Sequence, residues 1–207
     1  DDHYDYHTAN DTYDNLDVNT LQHQGEYLLP LVHYFGDSDL NQLKSLDDHV
    51  YINLPFFKIV SYPFTWVFPM LLVAIVLFIG LIIYGLRKRV LTGNGVVRGF
   101  IPFTLAMIFC GILGFYGWKL ILLMYPQYQE IQQGFTYNGH TYISFFVLLS
   151  LGVLFGIYYK FSKKINVANL LIAPLIFWIL INIGVAIYLK GAAFFIIPVF
   201  LGLLSLW

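Results

Sequence analysis

The chain has 207 residues, of which hydrophobic types make up 58% and charged types 11%, with a formal net charge of −1. This balance lies outside the soluble globular range and places most of the chain in lipid, and no nucleic-acid partner is expected. The near-neutral total hides a segregation: every Asp and Glu except Glu130 falls within the first fifty positions, and almost all Lys and Arg fall after them.

Cys110 stands inside an apolar run, so there is no disulfide framework and no thiolate metal site to build. The chain opens on Asp1 without an initiator Met or an apolar leader, and it closes within the apolar run Leu203 to Trp207. Both ends read as cuts, with a short final helix as the alternative at the second.

From Asp1 to about Asp17 the residues are polar and show no period, which predicts a loop. Asp17 is placed as an N-cap, and Val18, Leu21, Gly25, Leu28, Leu29 and Val32 then recur at helical steps. The predicted helix runs to about Phe35 and stops at Gly36, with a kink or break expected at Pro30, which has no amide to donate. Val50, Ile52 and Leu54 alternate with Tyr51 and Asn53, predicting a short strand or extended segment, and Phe56 to Pro63 reads as an interfacial stretch.

Four membrane spans follow, at Phe64 to Leu86, Phe100 to Tyr125, Tyr142 to Phe161 and Val167 to Leu189, with a short, truncated fifth at Ala192 to Trp207. Each of the four has roughly 20 apolar residues or slightly more, enough to cross a hydrocarbon layer of about 30 Å. Lys119 is expected to snorkel toward the Tyr125 end, and Asn182 to make an interhelical hydrogen bond. His140, beside Asn138 and Gly139, reads as part of a turn in an outer loop.

Loops 87–98 and 160–166 are basic, whereas the loop from Pro126 to Thr141 has no Lys or Arg. The positive-inside rule makes the two basic loops cytoplasmic and the acidic head extracytoplasmic, periplasmic or lumenal. Gly152 and Gly156 form a GxxxG pair, and Gly111, Gly114 and Gly117 recur at three-residue steps, so both sets are candidate helix-packing faces.

The acidic head is the one dense source of candidate chemistry. A lone His in a polar loop is ordinarily an exposed His, and a complete zinc site built from His3, Asp5, His7, Asp11, Asp14 and Asp17 alone is not expected, because no pair of them shares a predicted helix face. A calcium loop starting at Asn15 fails at Thr20, where the sharp turn needs Gly.

The string Tyr6-His7-Thr8-Ala9-Asn10-Asp11-Thr12-Tyr13-Asp14-Asn15-Leu16-Asp17, followed by Thr20, Leu21, Gly25 and Glu26, resembles the C-terminal end of a family M28 metallopeptidase catalytic domain. The resemblance covers about the first thirty-five residues. It implies an aminopeptidase-like enzyme with two zinc ions, whose last metal ligand is a His in a Tyr-His-Thr-x-x-Asp-Thr setting. His7 matches that ligand, and Asp11 matches a residue that would steady it. The family's His-x-Asp pair, bridging Asp, Glu pair and remaining carboxylate are expected upstream of Asp1. A peptidase end running directly into several spans is similar to the membrane-bound branch of the family, which includes vacuolar membrane proteases and endoplasmic reticulum metallopeptidases.

The expected architecture is therefore mainly α: residues 1–48 as the loop and helix ending an α/β zinc-peptidase domain, 49–63 as a connector, and 64–207 as a polytopic membrane domain. The expected partners are the lipid bilayer, the upstream peptidase domain of the same chain and peptide substrates. With one zinc ligand, the fragment alone is expected to be inactive. The competing reading is a non-enzymatic membrane scaffold or transporter piece, whose acidic head only solvates the surface.

Overall fold

The computed structural model describes residues 9–42, 47–54, 56, 58–131 and 134–206. The chain is mainly helical, and the described residues form one small sheet, a two-stranded antiparallel hairpin. Four helices are long and apolar enough to cross a membrane. The chain divides into two compact units, one of residues 1–45 and 111–150 and the other of residues 46–110 and 151–207.

In the first unit, α1 (Val18–Gly36) begins where predicted, because the Asp17 carboxylate accepts hydrogen bonds from the Asn19 and Thr20 amides at 3.0 and 3.2 Å. These bonds satisfy amides that have no partner inside the helix. The expected break at Pro30 does not occur, and α1 runs through it unbroken. Its end at Gly36 is as read, with the Asp37 amide donating back to the His33 carbonyl.

The second unit holds the core. β1 (His49–Leu54) pairs with β2 (Lys58–Pro63) in the register His49↔Pro63 to Leu54↔Lys58. The stretch expected to lie as an interfacial segment is thus largely a strand. Val50 is fully buried beneath the hairpin, in the cluster that also holds Ala193 of the 3-10 turn Lys190–Phe195. After a 3-10 turn at Phe64–Trp66, α2 (Val67–Arg87) leads away from the hairpin.

The chain then reverses tightly. The amides of Val90 and Leu91 both donate to the Gly85 carbonyl at 3.0 Å, and the Leu91 side chain fills the space where a Cβ on Gly85 would sit. Next, α3 (Gly93–Met124) starts seven residues before the predicted span, so Arg98 lies on a helix rather than in the loop. Thr92 explains this start: its hydroxyl accepts from the Gly95 amide at 3.1 Å and its carbonyl from the Val96 amide at 2.9 Å. Likewise α4 (Gly139–Ser162) takes in His140, which sits in a helical first turn and not in an outer-loop turn.

α5 (Val167–Tyr188) is capped by Asn166, whose Oδ1 accepts from the Ala168 amide at 3.1 Å. Within the second unit α2, α5 and α6 (Ile196–Leu206) pack together around Leu71, Ala74, Leu175, Ile179, Val199 and Leu203. The short fifth element nonetheless crosses this unit. Its first turns sit under the hairpin, and Leu206 reaches Leu91 and Ile172 at the opposite end. Rises of about 1.5 Å per α residue and 2.0 Å per 3-10 residue give the segment a length of roughly 30 Å, comparable to the hydrocarbon layer.

Asn182 is buried in α5, and its amide donates to the Trp178 carbonyl at 2.9 Å and the Phe195 carbonyl at 3.0 Å. It therefore ties α5 to the 3-10 turn ahead of α6. Close by, the Tyr62 hydroxyl is buried with no hydrogen-bond partner among the described residues, and desolvation raises its pKa above the ordinary value of 10.0. Tyr62→Phe removes a polar atom that gains nothing from folding, so stability in detergent should stay level or rise by about 1 kcal/mol. A loss of stability in a thermal melt would mean that the hydroxyl has a partner.

Candidate functional site

His7, the candidate zinc ligand, lies outside the described residues, as do His3, Asp5, Tyr6 and Thr8. Downstream of them, the head is built by local polar contacts. Asn15 donates through its side-chain amide to the Asn10 carbonyl at 2.9 Å, and a 3-10 turn at Tyr13–Asn15 leads into the cap. Asp11 is exposed, three residues ahead of Asp14 in that turn.

Asp17 works as a helix cap. Its Oδ2 accepts from the Thr20 hydroxyl at 2.6 Å as well as from backbone, and these bonds, led by that of the Thr20 side chain, lower its pKa from 3.8. A carboxylate whose pKa is lowered by folding stabilises the helix at neutral pH, and the contribution is lost as pH falls through the folded-state pKa. Asp17→Ala should therefore reduce helical circular dichroism from the head at pH 7. At a pH low enough to protonate the carboxyl, it should make little difference.

Among the described residues, no group of three or more His, Cys, Asp or Glu side chains is placed to hold a metal ion. The donor chemistry of the head thus allows His7 to contribute to a metal centre whose other ligands come from elsewhere.

A second feature of the first unit is an apolar cavity of about 450 Å³, lined by Trp118, Phe135, Thr136, Tyr142 and Phe146 among others. The loop before α4 folds back to form it, and the Phe135 ring lies against Gly139, where any Cβ would come within 2.6 Å. Trp118 and Tyr142 meet edge to face at 5.8 Å, and Tyr128 and Tyr142 approach through their hydroxyls at 3.5 Å. The Thr136 hydroxyl is buried there without a partner among the described residues. The cavity offers mainly apolar surface with the hydroxyls of Thr136 and Tyr142, and no carboxylate or imidazole lines it among the described residues.

Among the described residues, a Cβ on Gly111, Gly114, Gly152 or Gly156 would meet nothing within 4 Å. Close approach falls at Gly117, one of the glycines marked in the sequence, under Phe146, and at Gly95 and Gly99, which were not marked, where α3 meets Asn169 of α5. The expected outward reach of Lys119 is also overturned: its ammonium sits 4.3 Å from the centroid of the Phe115 ring, one turn back along α3. Helical side chains lean toward the N-terminus, and the ring face attracts the cation.

Sequence reading missed the polar contact at the basic end of the second unit. There Asn169, 3% exposed, accepts from the Thr92 amide through Oδ1 at 3.0 Å. The side-chain amides of both Asn166 and Asn169 reach the Val90 carbonyl at 3.5 Å. The turn after α2 and the residues that start α5 therefore meet. The capping residues Thr92 and Asn166 were the available signal.

Compared with models of protein families, with curated proteins and with solved structures, the chain matches none.

Proposed function

We propose that this chain is the C-terminal, membrane-embedded part of an M28-like zinc exopeptidase that releases N-terminal residues from peptides. The observation that carries the reading is the string from Tyr6 to Asp17 leading into a capped helix. His7 is assigned as one zinc ligand and Asp11 as the residue that steadies it. When bound, the two zinc ions would polarise the scissile carbonyl and supply hydroxide at neutral pH. The role of this chain is to supply the His7 imidazole and anchor the head to the bilayer.

The character of α1 supports the assignment. It carries an apolar face, yet none of its residues is buried, and Leu21, Leu28, Leu29 and Val32 are all exposed. A helix with such a stripe ordinarily packs it against a domain, and the upstream peptidase domain is the proposed cover. No Asp or Glu lies in any of the four long apolar helices, so no intramembrane carboxylate favours a transporter. The basic loops are assigned to the cytoplasmic side and the head to the periplasmic or lumenal side.

The test uses the full-length parent protein. His7→Ala should lower zinc content and peptidase activity together. Unchanged activity at full zinc occupancy would remove His7 from the site.

A further inference from the structure

At the basic end of the second unit, Arg89, Arg98 and Lys164 border a cleft of about 260 Å³ that has Asn169 in its lining. The three cations come from the turn ending α2, from α3 near its start and from the loop between α4 and α5. Among the described residues none of them is in an ion pair, and the sequence beyond Asp48 has Glu130 as its single acid. α3 and α5 both start at the cleft and add the positive ends of two helix dipoles. Arg89 also holds a left-handed backbone angle, φ 58°, at the helix-ending position that glycine usually fills.

Next to the cleft is an apolar pocket of about 120 Å³, lined by Leu81, Leu91, Ile172 and Leu206, and Val90 borders both. The cationic and apolar compartments are thus contiguous. α2 and α5, with 21 and 22 residues, end or begin here, which puts the cleft at the edge of a layer roughly 30 Å thick.

We propose that this cleft binds the phosphate of an anionic phospholipid, with an acyl chain following the apolar pocket beside it. Cationic pockets between membrane helices recognise lipid headgroups in this way, each cation contributing about fivefold in affinity. The proposal is independent of the peptidase assignment.

The experiment uses the whole chain in a zwitterionic detergent, titrated with phosphatidylglycerol, with phosphatidylcholine of the same acyl chains, and with inorganic phosphate, and read by native mass spectrometry and thermal melting. Phosphatidylglycerol should bind at least about tenfold more tightly than phosphatidylcholine. The triple variant Arg89→Gly, Arg98→Gln, Lys164→Gln should lose that preference, with phosphatidylcholine binding unchanged. Glycine accepts the left-handed angle at 89, so the lipid-free melt should stay near that of the parent chain. A control with the same charge change outside the cleft, Arg87→Gln, Lys88→Gln, Lys163→Gln, should keep the preference. Equal loss in both triple variants, no headgroup preference, or saturation by inorganic phosphate alone that matches the lipid response would each overturn the proposal. Persistence of the preference in the cleft variant would do the same.

Discussion

Gly99→Val is expected to be the most damaging single substitution in the membrane part, lowering stability by about 2–4 kcal/mol. A Cβ at this position would come within 2.5 Å of the Asn169 carbonyl oxygen and 3.4 Å of the Leu170 Cα, both of them α5 backbone. Backbone cannot rotate out of the way, so α3 and α5 must separate. Separation strains the bond from the Thr92 amide to Asn169, which holds in place the residue that caps α3. The cost therefore combines overpacking, about 1–3 kcal/mol, with a weakened buried polar bond of similar size. In a melt, the midpoint should fall by on the order of 5–10 °C. Gly152→Val and Gly156→Val, where a new Cβ meets nothing within 4 Å, should leave the midpoint nearly unchanged. Equal losses at all three positions would mean that helix propensity, and not contact, sets the effect.

That contrast shows why part of the fold was legible and part was not. The four long helices are readable because each is an apolar run long enough to cross a bilayer, a property of composition alone. The Asp17 cap and the Gly36 stop are equally local and came out as read. GxxxG is local as well, but it says only that a helix could be approached closely. Which glycines are approached depends on partners far along the chain, such as Asn169 against Gly95 and Gly99.

The hairpin was half legible for a related reason. β1 alternates as a strand should, but no Asn-Gly or Asp-Gly marks the turn, and the left-handed angles fall on Phe56 and Lys58. α3 begins early because Thr92 caps it, whereas Gly93, Asn94 and Gly95 look like loop residues. The cationic cleft was not legible at all, since its walls come from loops more than sixty residues apart in sequence. In the acidic head, the capping chemistry was readable from residue spacing, while the metal assignment of His7 rests on the resemblance.

The second large effect concerns that histidine. Groups that merely orient a metal ligand cost roughly 10–100-fold in activity or metal affinity when removed, so loss of a ligand itself should exceed that range. Asp11→Asn, at the proposed orienting position, should fall within it. His7→Gln should behave like His7→Ala if the imidazole is needed for zinc, because a neutral amide is a poor zinc donor.

The most direct measurement is the zinc content of the purified full-length parent, taken together with its hydrolysis of a peptide with a free N-terminus, for the parent and for His7→Ala. The predicted result is close to two zinc ions and chelator-sensitive hydrolysis in the parent, and a more than about 100-fold loss of activity with reduced zinc in the variant. A parent that holds no zinc, or a variant that keeps both its zinc and its activity, would contradict the account.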